Sequence, residues 1–279
     1  TKRIDFVVTL KTPPTTVVKS NVIYNLDGVN VAITSDHYPL YCDFKKPTGL
    51  EEYPKAEGDL RIGNYFLTYC KGTDGVIDYD RTGRIIAKMN ADIVCLQGLD
   101  KETERSEGID QLNVLAQKAN MHDYFAKAID YKGGEFGVGI LTKEEPVSVD
   151  RYQMAGKSEM RAAMVVEYEK FVVASTNFDT DMAKRIEALQ TLETKLSAYN
   201  KPAFLLGYFN EGDLESEFFQ MVKSNWNLLS ADKSTEVSGK KRRLDFIVSL
   251  KSHNVNVTQA DVIENLSGVD VTIASTHYP

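Results

Sequence analysis

The feature that most constrains this chain is that it repeats itself once, at long range. Residues 1–39 and 241–279 align without a gap at an offset of 240, with about half the positions identical. "RIDFVV" from Arg3 returns as "RLDFIV" from Arg243, and "TSDHYP" ending at Pro39 returns as "ASTHYP" ending at Pro279. Solenoid units run to roughly 20–50 residues, so a period of 240 measures a whole domain. The chain therefore reads as the C-terminal strands of one domain copy, residues 1–44, followed by a second copy, residues 59–279, truncated before its last strand. Residues 45–58 between them place Pro47, Gly49, Pro54 and Gly58 among charges, which is the composition of a linker.

Composition narrows the class. A chain of 279 residues, 42% hydrophobic, can bury a sizeable α/β core. Its net charge of −7 argues against a broad nucleic-acid surface. The run Lys240-Lys241-Arg242-Arg243 reads as a solvated lead into a strand, with phosphate binding as the sharper alternative. No stretch reaches the roughly 18 apolar residues of a membrane span. Cys42, Cys70 and Cys95 have no metal-ligand spacing, and Cys95 inside "DIVCLQ" reads as a core thiol. The first residues carry no signal-like segment, so the compartment is not legible there; a secreted or periplasmic location is the expectation.

After the linker, strands and helices alternate. "YFLTYC" (65–70) and "DIVCLQ" (92–97) read as strands, with helical stripes at 81–90 and 110–121. "DYFAKAI", "FGVGILT", "AAMVVEY" and "FVVASTNF" read as four strands in succession. A helix at about 181–199 places Ile186, Leu189, Leu192 and Leu196 on one face. "PAFLLGYF" (202–209) is a buried strand and 215–224 a helix, and the last forty residues are expected to give three strands. Trp226 reads as core. Asp74, Asp78 and Asp80 lack the closing Glu of a calcium loop and read as loop residues and helix caps. His122 and His253 have no ligand-like neighbours in the sequence.

The phrases at the strand ends carry a resemblance. "YFLTYCKG", "ADIVCLQGLD", "GGEFGVGILTK", "FVVASTNFD", "PAFLLGYFNEGD", "RRLDFIVSL" and "ASTHYP" follow the order of the endonuclease/exonuclease/phosphatase superfamily, the deoxyribonuclease I-like phosphoesterases. The resemblance covers roughly residues 60–279. It implies a four-layer α-β-β-α sandwich of two mixed sheets with its site at the strand ends. It also implies a divalent cation, usually Mg²⁺, held by hard oxygen ligands, and a histidine, oriented by a carboxylate, that prepares the attacking water.

Compared position by position with the family pattern, the second copy departs from it. Cys70 stands for the family's Asn, Gly98 for the metal-binding Glu, and Asn177 for the His of "TH". Tyr208 stands for the Asp of "GDFN", and Thr276 for the Asp of "SDH". Asn210, Asp245 and His277 match, and Asp245 and His277 resemble the water-activating pair. Arg161, near Glu159, is a candidate phosphate contact, with a structural ion pair as the alternative. The first copy's fragment keeps the intact phrases: Asp5 and His37 match the orienting carboxylate and general base, and Asp36 the metal ligand.

The expected function is thus a phosphoesterase-family domain that has lost catalysis, partnered by an active sister copy upstream, with no cofactor in this copy and Mg²⁺ in the intact one. The alternatives are a weak phosphoesterase using Asp245 and His277 with a displaced metal at Glu135, Asp179 or Glu211, and a non-catalytic phospho-ligand binding module. Residues 38–44 are expected to complete an open sheet edge of the second copy, in cis or by a domain-swapped self-association.

Overall fold

The computed structural model describes residues 17–23, 40–44 and 52–279. The chain divides into two compact units, Thr1–Glu51 and Glu52–Pro279. In the first, β1 (Val17–Val22) pairs antiparallel with β2 (Leu40–Phe44), Val22 opposite Leu40 and Val17 opposite Phe44. The Val22 N–H donates to the Asn21 side chain at 2.8 Å. Among the described residues β2 is paired with β1, in a two-stranded sheet of the first unit. Asp5, Asp36 and His37 lie outside the described residues.

The second unit takes in part of the expected linker. The Tyr53 N–H donates to the Lys88 carbonyl, and the Lys55 ammonium lies 2.7 Å from Asp92. Ten strands follow: β3 (Ile62–Phe66), β4 (Ile93–Lys101), β5 (His122–Tyr131), β6 (Gly134–Thr142), β7 (Ser148–Met154), β8 (Arg161–Glu167), β9 (Val172–Asn177), β10 (Ala203–Tyr208), β11 (Trp226–Leu228) and β12 (Asp245–Leu250). One sheet runs β3-β4-β6-β5 and the other β11-β12-β10-β9-β8-β7. Each is mixed, with a single parallel pair, β3/β4 in one and β9/β10 in the other.

Strands buried on both faces lose the alternation of a half-exposed strand. "AAMVV" within β8 and "VVASTN" in β9 are buried at every position, because one face meets the other sheet and one meets helices. Between the sheets pack Ile93, Cys95, Val138 and Ile140 from one side and Met164, Val166, Val173 and Leu206 from the other. Helices α1 (Tyr79–Lys88), α2 (Gln111–Ala119), α3 (Met182–Leu196) and α4 (Glu217–Asn225) start at Asp78, Asp110, Asp181 and Ser216, whose side chains accept first-turn N–H groups. α1 and α2 cover the four-stranded sheet through Ile85, Ile86, Leu112 and Leu115. α3 and α4 cover the other through Leu189, Leu192, Phe218 and Phe219, with Trp226 in that core. This is the expected four-layer sandwich.

Two expectations need correction. "YFLTYC" is not one strand, because β3 stops at Phe66 and residues Thr68, Tyr69 and Cys70 form a tight turn with φ of 48°, 48° and 59°. The last forty residues hold one strand, β12, and a short helix α5 (Val271–Ala274), not three strands. A β-capable segment becomes a strand only where a ladder partner lies beside it, and Val255–Asp261 has none among the described residues.

Candidate functional site

The site lies where the strands of both sheets end. In the six-stranded sheet, ladder register places Asp245 opposite Tyr208 and Tyr208 opposite Asn177, so three of the family positions share one row. In the other sheet Phe66 stands opposite Gln97, and Gly98 follows at a bulge. His277 arrives from the C-terminal segment, where the Tyr278 N–H donates to the Thr235 carbonyl and the His277 N–H to the Ser275 hydroxyl at 3.2 Å. Ser275 in turn donates to the Phe66 carbonyl at 2.5 Å, which ties this segment to β3.

His277 Nδ1 lies 2.6 Å from Asp245 Oδ2, with the two side chains 5% and 6% exposed. Asn64 donates to the other carboxylate oxygen at 3.3 Å. Gln97 donates to Asn64 at 2.8 Å and to Ser175 at 3.3 Å. The pair thus ends a buried chain of hydrogen bonds that crosses from one sheet to the other. Thr235 Oγ1 accepts from the Leu244 and Asp245 N–H groups, at 3.0 and 3.2 Å, and holds the start of β12 in place.

Two aromatic rings cover the imidazole. Phe66 lies 4.9 Å and Tyr208 5.0 Å from the His277 ring centroid, and the two are 4.7 Å from each other. Burial pushes the Tyr208 phenol up from its ordinary value, and the nearby Asp245 charge adds to the shift. A Cβ at Gly98 would stand 3.4 Å from the Phe66 ring, on a backbone with φ of +72°. Phe66 thus crowds the position from which a longer side chain at residue 98 would have to emerge.

Sequence reasoning put Cys70 at the head of this site, and the structure puts it elsewhere. Cys70 is buried in the core beneath α1 and α2, its thiol pushed up by burial. The strand-end residue beside His277 is Phe66, four positions earlier, because the turn at Thr68–Cys70 carries the chain away. Thr276 meets Thr68 hydroxyl to hydroxyl at 3.0 Å. Asn210, at φ of 54°, donates to the Phe178 carbonyl at 2.6 Å and lies 3.5 Å from the Asn177 carboxamide oxygen. Asn64, Gln97, Ser175 and Thr235 were not read from sequence. Only Gln97, inside the "LQ" phrase, carried a signal.

The remaining charged candidates are engaged by partners. Arg161 lies 3.0 Å from Glu159 and 3.1 Å from Asp179, between two carboxylates. Burial pushes the Asp179 carboxyl up, but the Asp181 N–H, the Arg161 guanidinium and the Lys157 N–H outweigh it and hold the group below the usual carboxylate range. Glu211 pairs with Arg185 at 3.0 Å and Glu135 with Lys127 at 3.4 Å. Of the basic run, Arg242 forks onto Glu236 with distances of 2.8 and 2.5 Å, and Arg243 reaches Asp232 and the Ser230 carbonyl.

A family-type divalent cation requires several hard oxygen ligands. Beside His277 stand Phe66, Tyr208, Asp245 and Glu236; both oxygens of Asp245 already accept, and Glu236, whose backbone bridges to His277, is forked by Arg242. Among the described residues no group of three or more His, Cys, Asp and Glu side chains is placed to hold a metal ion. These residues do not fit the group.

No protein-family model and no curated protein matches the sequence. Solved structures do match the fold. An endonuclease/exonuclease/phosphatase from Beutenbergia cavernae is similar at a TM-score of 0.65 and 18% identity, over 78% of this chain and 69% of that one. A mannosyl-6-phosphatase from Bacteroides thetaiotaomicron is similar at 0.58 and 15% identity, over 79% and 97%. Beta toxin from Staphylococcus aureus is similar at 0.56 and 16% identity, over 79% and 98%. With two mixed sheets between helical layers, the chain has the fold of the endonuclease/exonuclease/phosphatase family.

Proposed function

We propose that residues 52–279 form a phosphoesterase-family domain that has lost catalysis and serves as the structural or regulatory partner of an active sister copy, of which residues 1–44 are the C-terminal strands. The observation that carries this reading is the packing of Phe66 and Tyr208 on His277. A general base must reach a water and a phosphorus atom. This one is 4% exposed beneath two rings, and the largest catalytic contribution, charge stabilisation at the phosphoryl oxygens, finds no metal-ligand set among the described residues to supply it.

What the pair retains is a structural task. It joins the C-terminal segment to the network through Asn64 and Gln97. Removing one partner of a buried pair costs about 3–5 kcal/mol, which is reason enough for it to persist without chemistry. The sequence match between residues 1–39 and 241–279 supports the sister copy.

The test compares the chain with its His277→Ala variant on p-nitrophenyl phosphate and bis-p-nitrophenyl phosphate, with Mg²⁺ and Mn²⁺, alongside urea unfolding. Turnover is expected to be unchanged and stability to fall by about 3–5 kcal/mol. A fall in turnover of about 10²-fold or more, with the unfolding midpoint preserved, overturns the reading.

A further inference from the structure

Residues 52–61, which enter the second unit ahead of β3, form neither helix nor strand and are held by two sets of contacts. One set runs to the body of the fold. The Tyr53 N–H donates to the Lys88 carbonyl at 2.7 Å, Lys55 pairs with Asp92 at 2.7 Å, and Arg61 donates to the Met89 carbonyl at 2.9 Å. The other set reaches 198 to 208 residues along the chain and is made by side chains alone. Thr258 donates to Asp59 at 2.7 Å, Arg61 to Gln259 at 3.2 Å, and Tyr53 to Asp261 at 2.5 Å. Lys233 donates to the same Asp261, also at 2.5 Å. The bond to Asp261, with partial burial, pushes the Tyr53 phenol up to about 12, so that it remains a proton donor at neutral pH.

The chain holds a second version of the segment that receives these bonds. Residues 257–262 align with 17–22 at the offset of 240, "VTQADV" against "VVKSNV". The valines at both ends are shared, and so is a local contact: the Val22 N–H donates to Asn21 Oδ1 at 2.8 Å, and the Val262 N–H to Asp261 Oδ1 at 2.9 Å. Four positions differ, and three of those four are the residues that meet 52–61. Each exchange acts against the contact. Val18, in place of Thr258, has no hydroxyl to donate to Asp59. Lys19, in place of Gln259, sets an ammonium where the Arg61 guanidinium finds its acceptor. Asn21, in place of Asp261, offers Lys233 no charge and the Tyr53 phenol a weaker, neutral acceptor.

We infer that Tyr53–Arg61 is a copy-selective latch, which recognises the C-terminal segment of its own domain through Thr258, Gln259 and Asp261 and is refused by the residues the first copy carries at those positions. A chain with two related segments is open to misassembly, in which an element docks on the wrong copy. Specificity between them is a difference of affinities, widened when the wrong partner brings a lost donor and a like charge. The inference does not depend on whether the domain is catalytic.

The test transplants the first copy's residues into the second. In the full chain, Thr258→Val, Gln259→Lys and Asp261→Asn together are expected to speed hydrogen exchange at the amides of 53–61 at least about tenfold, with β8 and β9 unchanged. Gln259→Glu, which offers Arg61 a carboxylate, is expected to slow exchange there. Ala260→Ser, the fourth differing position, is expected to leave it as in the parent. The inference is overturned if the triple variant keeps the parent's protection at 53–61, or if Ala260→Ser raises exchange as much as the triple variant does. A rise that spreads equally through β8 and β9 also overturns it, because the contacts would then serve overall stability and not recognition. So does equal loosening by Gln259→Lys and Gln259→Glu, since the charge facing Arg61 would then not be what is read.

Discussion

At the scale of the residue, the side chains around His277 form one physical unit. Phe66 and Tyr208 bury the imidazole, and Gly98 leaves room for the Phe66 ring. Away from this cluster, Asp179 shows how the fold spends its carboxylates. It is 3% exposed, accepts from Arg161 and from two backbone N–H groups, and is held below the usual carboxylate range despite its burial. A depressed folded pKa contributes stability above the unfolded value of about 3.9 and loses it as pH falls through the folded value. Asp179→Asn is therefore expected to lower stability at about pH 7 by about 1–3 kcal/mol, since it weakens donors that remain buried. The gap from the parent should narrow as the pH is brought from about 7 to below the depressed folded value, where the parent's carboxyl is protonated too. Urea midpoints at the two pH values measure this, and a gap that stays constant would show that Asp179 acts by shape and not by charge.

At the scale of the element, the parallel pair β9/β10 sets the row on which Asn177 and Tyr208 sit. The pair approaches closely at Gly207, where a Cβ would meet the Thr176 carbonyl oxygen at 2.0 Å. Neither backbone can retreat, because β8 flanks one and β12 the other. Gly207→Ala is expected to cost about 3 kcal/mol, as overpacking does where no side chain can rotate away. Gly239, with nothing within 4 Å of its Cβ position, is the control, and its Ala variant is expected within about 0.5 kcal/mol of the parent. Chemical denaturation of the two variants checks the contrast; similar losses would mean that β9 and β10 shift apart more freely than their neighbours allow.

At the scale of the molecule, the second unit has separate apolar layers, and two cysteines report on different ones. Cys70 sits between the four-stranded sheet and its helices, Cys95 between the two sheets. Both are free and fully buried, and burial pushes the Cys95 thiol up to about 12. In a Cys42→Ser background at about pH 8, both thiols are expected to react with a disulfide reagent at least about 10³-fold more slowly than in urea, with a common midpoint if the layers open together. Earlier release of Cys70 would mean that the helical layer opens before the sheets part. Quenched labelling and mass spectrometry distinguish these outcomes.

The order of strands and helices was legible in the sequence because apolar runs and helical stripes are local, and each of β8, β9, β10 and α3 carries its own burial pattern. Asp245 and His277 were legible because their phrases stand at strand ends whatever surrounds them. What faces them was not. The reading of Cys70 failed on a left-handed turn of three non-glycine residues, which leaves no mark in composition. The three strands expected in the last forty residues failed because a strand exists only beside a partner, and partners are chosen by tertiary packing. The pairing of Asp179 with Arg161 and of Glu211 with Arg185 bridges 18 and 26 residues of sequence. By itself the sequence determined the layers and the phrases that carry Asp245 and His277; only the tertiary structure decided that rings close over that pair, since this depends on atoms brought together from distant parts of the chain.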